Sequence, residues 1–211
     1  MSIRLVIDSA SDISPREAEA RGAYFMPMTV RIGGEEYKDG IDISPKEFYE
    51  KLVETSDLPQ TSQITMYEFG QVFEEIIAAG DTPVAITISS KLSGTYQCAA
   101  VAAAEFPGKA YAVDSLNACI GERILVERAF QLIDEGVSPE ELVRILDREK
   151  EDICLLALLD TLEYLKKGGR ISAAAALAGG LLSIKPVISV ENGEVVCVGK
   201  ARGSKRQQSS E

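Results

Sequence analysis

Hydroxyl-bearing side chains are concentrated directly after short apolar runs of the sequence. Asp8-Ser9 follows the first run, Ser89–Thr95 follows a later one, and Asp114-Ser115 follows the next. Because a hydroxyl group both donates and accepts hydrogen bonds, such turns suit the oxygens of an anion. Ser93-Gly94 also begins a predicted helix, whose first free N–H groups add donors. The alternative is that each serine only caps its own helix.

Thr61-Ser62-Gln63 forms a fourth hydroxyl cluster, just before a predicted helix that is capped by Thr65. The sequence contains no histidine, which excludes Ser-His-Asp and Cys-His catalysis and histidine-ligated zinc. It also lacks the P-loop and dinucleotide-binding motifs. Since a serine without a base is a poor nucleophile, the hydroxyl groups indicate binding rather than catalysis, with no catalytic residue, no metal and no cofactor.

Two alternatives to a binding protein stay open. The Asp8/Ser9 and Ser93 turns could serve a phosphotransferase or an acyl-transfer enzyme, since related α/β/α sheets with acidic strand ends carry out such reactions. A regulatory protein that binds a partner and no ligand is the other. We expect the acidic side chains to be solvated, because they fall in helix caps and on polar helix faces.

Four segments carry the signals of a helix start. The pattern Ser-Pro-x-Glu occurs at residues 14–17, 44–47 and 138–141, and Thr65–Glu68 repeats it without proline. The hydroxyl group caps a free N–H, proline suits the first helical position, and the glutamate completes a capping box. Apolar runs between the helices predict strands. These runs are Ile3–Ile7, Tyr24–Ile32, Val84–Ile88, Ala110–Val113 and Ile153–Leu159.

The order of these elements predicts an α/β protein of two parts. Strand and helix alternate up to about residue 150, which is typical of a parallel α/β/α sheet and predicts a first domain over residues 1–150. Six consecutive charged residues, 147–152, mark the change. Two later apolar runs flank Asn192-Gly193, which predicts an antiparallel hairpin. Residues 151–211 are therefore expected to form a partial C-terminal α/β domain.

Charge and cysteine content bear on partners and location. The net charge is −11, yet basic residues outnumber acidic ones after residue 160, which favours contact between this basic end and something anionic. The acidic balance of the whole chain argues against nucleic acid. No apolar run is long enough to span a membrane. Cys119, Cys154 and Cys197 lie in apolar surroundings and, like Cys98, in no close pair, so we expect buried thiols and a cytoplasmic location.

Several motifs resemble the DegV family of bacterial fatty-acid-binding proteins, and they stay in order over nearly the whole chain. The resemblance implies a DegV-type fold with an N-terminal parallel α/β/α domain and a C-terminal domain that contains an antiparallel sheet. It also implies a long-chain fatty acid, such as palmitate, between the two domains. The matching stretches are Asp8-Ser9 with Asp12, Pro59–Gln63, Ile88–Gln97, Asp114-Ser115, Leu159–Ser172 and Ile184–Pro186.

The same resemblance implies where the fatty acid would be held. In family members its carboxylate is bound by the threonine of the Thr-Ser-Gln motif and by the last serine of Ser-Ser-x-Leu-Ser-Gly, which correspond to Thr61 and Ser93. Further ligand contacts are expected from Ser62, Gly94 and Ser115. No cofactor is implied besides the bound fatty acid.

Family members of this kind present the acyl group to a separate fatty acid kinase, for lipid transport or phospholipid synthesis, and do not catalyse a reaction alone. Basic residues of the later turns are associated with that contact, and here they are Arg170, Arg202 and Lys205. The apolar run Ala173–Leu182 is expected to be either a tunnel wall or an ordinary buried helix. Because family members typically continue for some tens of residues beyond Arg202, we expect a C-terminal domain that is open on one side.

Overall fold

The computed structural model of the chain describes residues 2–55, 58–171 and 184–202. The strands in these ranges are β1 (Ile3–Asp8), β2 (Tyr24–Met26), β3 (Thr29–Ile32), β4 (Glu35–Lys38), β5 (Gln60–Ser62), β6 (Thr82–Thr87), β7 (Tyr111–Asp114), β8 (Leu156–Leu158), β9 (Ile184–Glu191) and β10 (Glu194–Arg202). The α-helices are α1 (Pro15–Ala20), α2 (Pro45–Glu54), α3 (Met66–Ala78), α4 (Thr95–Ala104), α5 (Ile120–Asp134), α6 (Pro139–Glu149) and α7 (Glu163–Lys167).

A four-stranded parallel sheet forms the centre of the N-terminal part, with the strand order β2-β1-β6-β7. Every residue of β6 is buried, as expected for a strand with helices on both faces. One face packs against Leu125 of α5 and Leu142 of α6, and the other against Phe69 and Phe73 of α3. The predicted parallel α/β/α sheet is confirmed. The turns that follow β1, β6 and β7 consequently lie at one edge.

A second, antiparallel sheet follows residue 150, with the strand order β10-β9-β8. The hairpin between β9 and β10 turns at Asn192 and Gly193, whose φ angles are 51° and 82°. Positive φ at both central residues defines the turn type that suits the twist of a hairpin, and Asn-Gly is its favoured sequence. Both this hairpin and the predicted α/β fold class are confirmed.

A third sheet was not predicted. The run Tyr24–Ile32 was expected to be a single strand, but it forms β2 of the parallel sheet and β3 of an antiparallel sheet with the order β4-β3-β5. Pro27 lies between them and has no N–H to donate to a neighbouring strand, so the pairing stops there. Gly33-Gly34, with φ angles of 61° and 82°, is the hairpin signal that would have revealed β4.

The helix-start signals are confirmed. Ser14, Ser44, Thr65 and Ser138 each accept a hydrogen bond from the backbone N–H of the residue three positions later. For Ser44 and Thr65 the reciprocal bond is also present, in which the backbone N–H of the cap residue donates to the glutamate carboxylate. Such a cap is worth about 1 kcal/mol. These caps therefore fix where α3 begins, directly after β5, and so help to place Thr61.

The cysteines differ from the expectation. All four thiols are free, but Cys119 and Cys154 are exposed and Cys98 and Cys197 are half-buried. The prediction of burial was wrong because Cys119 lies at the exposed start of α5 and Cys154 precedes the short strand β8. Among the described residues, no helix is long and apolar enough to cross a membrane.

Candidate functional site

A cleft of about 720 Å³ lies between the carboxyl edge of the parallel sheet and the β8–β10 sheet. Its lining is mainly apolar, with Ile88 after β6 on one wall and Ile188 of β9 on the other. Ile120, Leu156 and Tyr164 also line it, and their side chains are 53%, 63% and 51% exposed. A concave, mainly apolar surface of this size is typical of a site for a small organic ligand.

The two predicted carboxylate-binding residues, Thr61 and Ser93, both line this cleft. Thr61 lies in β5 and is paired with Val30 of β3. Ser93 lies in the loop between β6 and α4. They are 32 positions apart in sequence, so only the folded sheets bring their hydroxyl groups to one surface.

The Ser93 hydroxyl has a defined hydrogen-bonding environment. Its Oγ accepts a bond from the backbone N–H of Thr95 (3.3 Å) and lies 2.9 Å from Thr95 Oγ1. Thr95 is fully buried. When Thr95 Oγ1 donates to Ser93 Oγ, both acceptor positions of Ser93 are filled and its own proton is free to donate elsewhere. A hydroxyl in that state is a hydrogen-bond donor to an anion.

The three further predicted contacts do not line the cleft. Ser62 follows Thr61 in β5, and alternation along a strand places its side chain on the opposite face. Ser115 is fully buried, and its hydroxyl both donates to the carbonyl of Asn117 and accepts from its N–H, each at 3.1 Å. Their hydroxyl groups are therefore separate from the surface that Thr61 and Ser93 share.

Gly94, the third of these predicted contacts, is a glycine for a steric reason. It is the N-cap of α4, and a Cβ atom added to it would lie 1.9 Å from Oε1 of Gln63. The Nε2 of Gln63 in turn donates to the sulfur of Cys98 at 3.0 Å. The absent side chain at Gly94 thus makes room for Gln63, and this contact joins the start of α4 to the segment that follows β5.

Two aspartates hold the loop after β6. Asp8 Oδ1 accepts from the N–H of Ala10 and Oδ2 from that of Ile88, both at 2.8 Å. Asp114 Oδ1 accepts from the N–H groups of Ser90 (3.1 Å) and Leu116 (3.0 Å). Because β6 lies between β1 and β7, the two carboxylates hold its loop from both sides.

Asp8 corrects the expectation that the acidic side chains are solvated. It is 1% exposed, and burial raises the pKa of its carboxyl from 3.8 to about 6, although bonds from Ile88 and Ala10 oppose the shift. Ser9, its neighbour, accepts from the N–H of Met28 at 3.2 Å. Both Asp8 oxygens and the Ser9 hydroxyl are thus engaged with backbone groups, so in this turn they hold the backbone in place.

Glu122 is, with Asp8 and Asp114, a further buried carboxyl, and sequence reasoning missed it. It is fully buried in α5, and no donor among the described residues reaches either of its oxygens. Burial, followed by the nearby charge of Asp8, raises the pKa of Glu122 well above 4.5. The available signal was its spacing, since Glu122 precedes the buried Leu125, Val126 and Ala129 at helical intervals.

The predicted partner-binding residues fall in three different positions. Arg170 is exposed and lines the mouth of the cleft, where its Nε donates to the carbonyl of Leu92 at 3.3 Å. Arg202 ends β10, with its side chain outside the described residues, and Lys205 lies outside them altogether, as does Ala173–Leu182. Lys167, which was not predicted, also lines the cleft. Among the described residues, no cluster of acidic or cysteine side chains could hold a metal ion.

Comparisons with known proteins agree with this architecture. A family model described as "Uncharacterised protein, DegV family" matches residues 2–209. A DegV domain-containing protein of Caldanaerobacter subterraneus subsp. tengcongensis is 37% identical over 205 residues, which is 97% of this chain and 73% of that protein. One from Deinococcus radiodurans is 37% identical over 206 residues, which is 98% of this chain and 73% of the relative.

Two solved structures have the same fold. A DegV family protein from Thermus thermophilus, described by its fatty acid binding, superposes with a TM-score of 0.87 at 39% identity, over 96% of this chain and 72% of the other. A stearic acid-binding protein from Eubacterium ventriosum gives a TM-score of 0.86 at 30% identity, over 96% and 71%. Since the family model covers nearly the whole sequence and the relatives exceed 30% identity, this chain belongs to the DegV family.

Proposed function

We propose that this chain is a fatty-acid carrier that does not catalyse a reaction by itself. It binds a long-chain fatty acid in the cleft, between a first domain of residues 1–150 and the segment after residue 150, and Thr61 and Ser93 hold the carboxylate. The carrier presents that carboxylate to a separate fatty acid kinase, for lipid transport or phospholipid synthesis. No cofactor is needed besides the bound fatty acid.

One observation carries the proposal: a mainly apolar cleft whose wall includes Thr61 and Ser93. An acyl chain of about 16 carbons gains on the order of 10 kcal/mol when fully buried, at about 0.8 kcal/mol per methylene. Its carboxylate must then be hydrogen-bonded, because an unpaired buried charge is far more costly. The Ser93 hydroxyl suits that role when Thr95 fills its acceptor positions and leaves its proton free.

Fatty acid binding by the similar proteins from Thermus thermophilus and Eubacterium ventriosum supports the choice of ligand. The position of Arg170 and Lys167 at the cleft supports the contact with a kinase, because both cations lie where an acidic partner would approach the carboxylate. Neither Asp8 nor Ser9 offers a free catalytic group, so the carrier is favoured over the phosphotransferase or acyl-transfer alternative.

The ligand is tested on the purified chain. Denaturing extraction followed by mass spectrometry should recover long-chain fatty acid, and palmitate added to delipidated protein should raise the melting temperature, since a ligand that binds only the folded state stabilises it. Hexadecane-1-ol is the matched control, because it has the acyl chain without the carboxylate and should stabilise the protein less. Absence of fatty acid in the extract together with an unchanged melting temperature would overturn the proposal and favour a regulatory protein without a ligand.

A further inference from the structure

The loop that carries Ser93 is held by a small number of backbone hydrogen bonds. We call residues 88–93 the Ser93 loop. The carbonyl of Ser89 accepts from the N–H groups of Leu92 (3.0 Å) and Ser93 (3.1 Å), which closes the loop into a tight turn. The N–H of Ile88 donates to Asp8 at the first residue of this loop. Ser89 and Ser90 add bonds to the Asn117 carbonyl and to Asp114, so the position of Ser93 depends in part on how firmly Ile88 is held.

The Asp8 carboxylate that holds Ile88 is almost completely buried, since this residue is only 1% exposed. Each of its two oxygens accepts one N–H group, from Ala10 and from Ile88. An ionised acceptor makes a hydrogen bond about twice as strong as a neutral one. Charge on Asp8 therefore strengthens the bond that holds the loop at Ile88.

Glu122 lies in the first turn of α5, beside the segment that follows Asp8, because the N–H of Cys119 at the start of this helix donates to the Ala10 carbonyl at 2.8 Å. Glu122 is fully buried, and no hydrogen-bond partner among the described residues reaches either of its oxygens. Two ionised carboxyl groups close together in such a place would repel each other strongly. One proton therefore stays on Glu122, and the nearby charge that helps to hold it there is that of Asp8.

We propose that Asp8 and Glu122 form a positioning pair, in which protonated Glu122 donates to the Asp8 carboxylate and Asp8 holds the Ser93 loop in its ligand-binding conformation. This inference rests on the proposed function, because it gives the conformation of the loop a role in binding the fatty-acid carboxylate. Neither residue touches the ligand; both act through the N–H of Ile88.

The pair makes binding depend on pH. Burial raises the pKa of Asp8 to about 6, so Asp8 is ionised at pH 7.5 and becomes neutral as the pH falls below about 6. Asp39 raises the pKa of Asp8, while Cys119 and Asp12 raise that of Glu122. Burial raises the pKa of Asp12, and the nearby charge of Arg123 lowers it. Acidification therefore weakens the bond to Ile88 and, through it, the binding of the ligand.

Asp8→Asn and Asp81→Asn form a matched pair of variants. The amide at position 8 retains one acceptor oxygen, so either Ala10 or Ile88 loses its partner. Asp81 also uses each oxygen for one donor, the N–H of Ser2 and Nε of Arg4, but it directly precedes β6 and so lies at the opposite edge of the parallel sheet from the Ser93 loop. At pH 7.5 we expect the Kd for palmitate to rise about ten-fold in Asp8→Asn and to stay within about two-fold in Asp81→Asn. Equal Kd values in the two variants would overturn the inference.

A pH series separates positioning from a merely structural role. The ratio of the Kd of Asp8→Asn to that of the wild type should shrink between pH 7.5 and pH 5.5, because wild-type Asp8 then becomes uncharged as well. The titration of palmitate itself cancels in this ratio. A ratio that stays constant over the series would overturn the role assigned to the charge of Asp8.

Glu122 variants keep the test usable if Asp8→Asn does not fold. Glu122→Gln retains a neutral donor toward Asp8 and should bind palmitate within about two-fold of the wild type, whereas Glu122→Leu removes the donor and should bind about ten-fold more weakly. If both variants bind like the wild type, or if Glu122→Gln is as weak as Glu122→Leu, the pair is not the unit we propose.

Amide hydrogen exchange of the ligand-free protein measures how firmly the Ser93 loop is held, independently of palmitate binding. The amides of the Ser93 loop should exchange faster in Asp8→Asn and Glu122→Leu than in the wild type, Asp81→Asn and Glu122→Gln. If the wild type does not bind palmitate, the proposed function fails, and these exchange rates alone support or overturn the loop-holding role. Equal exchange in all five proteins would overturn it.

Discussion

The hydroxyl group of Ser93 can donate to a ligand when Thr95 Oγ1 donates to it, because Thr95 then fills both of its acceptor positions. A buried hydroxyl that loses its partner, or an anion that loses its donor, costs about 1–3 kcal/mol. Thr61 contributes a second hydroxyl to the same surface. The neighbouring hydroxyl of Ser62 belongs to the other face of β5 and supplies a control within the same strand.

We predict that Ser93→Ala and Thr61→Val each weaken palmitate binding by about 1–3 kcal/mol, because each removes a donor to the carboxylate. Isothermal titration calorimetry at pH 7.5 measures the change in Kd. Ser62→Ala should bind palmitate like the wild type. Unchanged affinity in Ser93→Ala would show instead that Ser93 serves only the start of α4.

Single residues of the site were predictable to the extent that they belong to a motif. Thr61 and Ser93 were identified by resemblance, and the structure places both at the cleft, although their contact with a ligand stays a prediction. The sequence motif includes Asp8, but it does not predict the burial of this side chain, because a carboxylate after a strand is normally solvated. Glu122 was missed, since the tertiary contact that buries it leaves no local mark except helical spacing.

The β9–β10 hairpin is tied to the Ser93 loop at its tip. The hydroxyl of Ser89 donates to the carbonyl of Gly193 at 2.7 Å in a buried position. A Cβ atom at Gly193 would lie 2.5 Å from Ser89 Oγ and 3.1 Å from Cγ of Lys91. The turn and the loop therefore fit only because residue 193 is glycine, and this fit joins the two walls of the cleft.

Gly193→Ala should lower both the free energy of unfolding and the affinity for palmitate, because it adds backbone strain of about 1–3 kcal/mol and separates the hairpin from Ser89. Gly34→Ala is the matched control: Gly34 holds the same turn position with a φ of 82°, but nothing lies within 4 Å of its added Cβ. It should destabilise less and leave Kd unchanged. Chemical denaturation and palmitate titration measure the two effects, and equal losses of affinity in both variants would contradict the prediction.

Elements with a strong local signal were predicted well. Four capped helix starts and the Asn192-Gly193 hairpin are present as expected. The strand over Tyr24–Ile32 was wrong because the hydrophobic pattern continues through Pro27, where backbone pairing cannot. α5 was not predicted from a cap, since its N-cap Cys119 has no side-chain bond to the helix and a φ of 52°.

The molecule as a whole brings three sheets to one cleft: β5 supplies Thr61, the loop after β6 supplies Ser93, and the β8–β10 sheet supplies the facing wall. Local sequence patterns predicted the parallel sheet that contains β6 and the β8–β10 sheet, but not the β4-β3-β5 sheet or the way all three meet. Long-range pairing of this kind is set by packing, which composition and periodicity do not reveal.

The proposed contact with a fatty acid kinase is tested at Arg170, one of the cations after residue 160. We predict that Arg170→Ala slows phosphorylation of bound palmitate by a purified fatty acid kinase about ten-fold, because a charge at the rim of an interface mainly affects association. The Kd for palmitate should not change. Arg144→Ala is the control, since Arg144 is exposed on α6, pairs with Glu141 and does not line the cleft.

Loss of palmitate binding in Arg170→Ala would place Arg170 in the ligand site instead of at the partner surface. An unchanged rate of phosphorylation would remove Arg170 from the kinase contact. A calorimetric titration and a radiolabelled phosphate-transfer assay on the same preparations distinguish the two results.

The contact between Gln63 and Gly94 has an evolutionary consequence. A Cβ atom at position 94 would overlap with the Gln63 side chain at 1.9 Å, so a larger residue there requires a smaller or differently directed one at position 63. The two positions should therefore covary among homologues, and a lineage that loses the glycine should change the glutamine as well. Because Gly94 adjoins Ser93 and Gln63 lies two residues after Thr61, this paired substitution would change the surroundings of the proposed carboxylate site while both of its hydroxyl groups are kept.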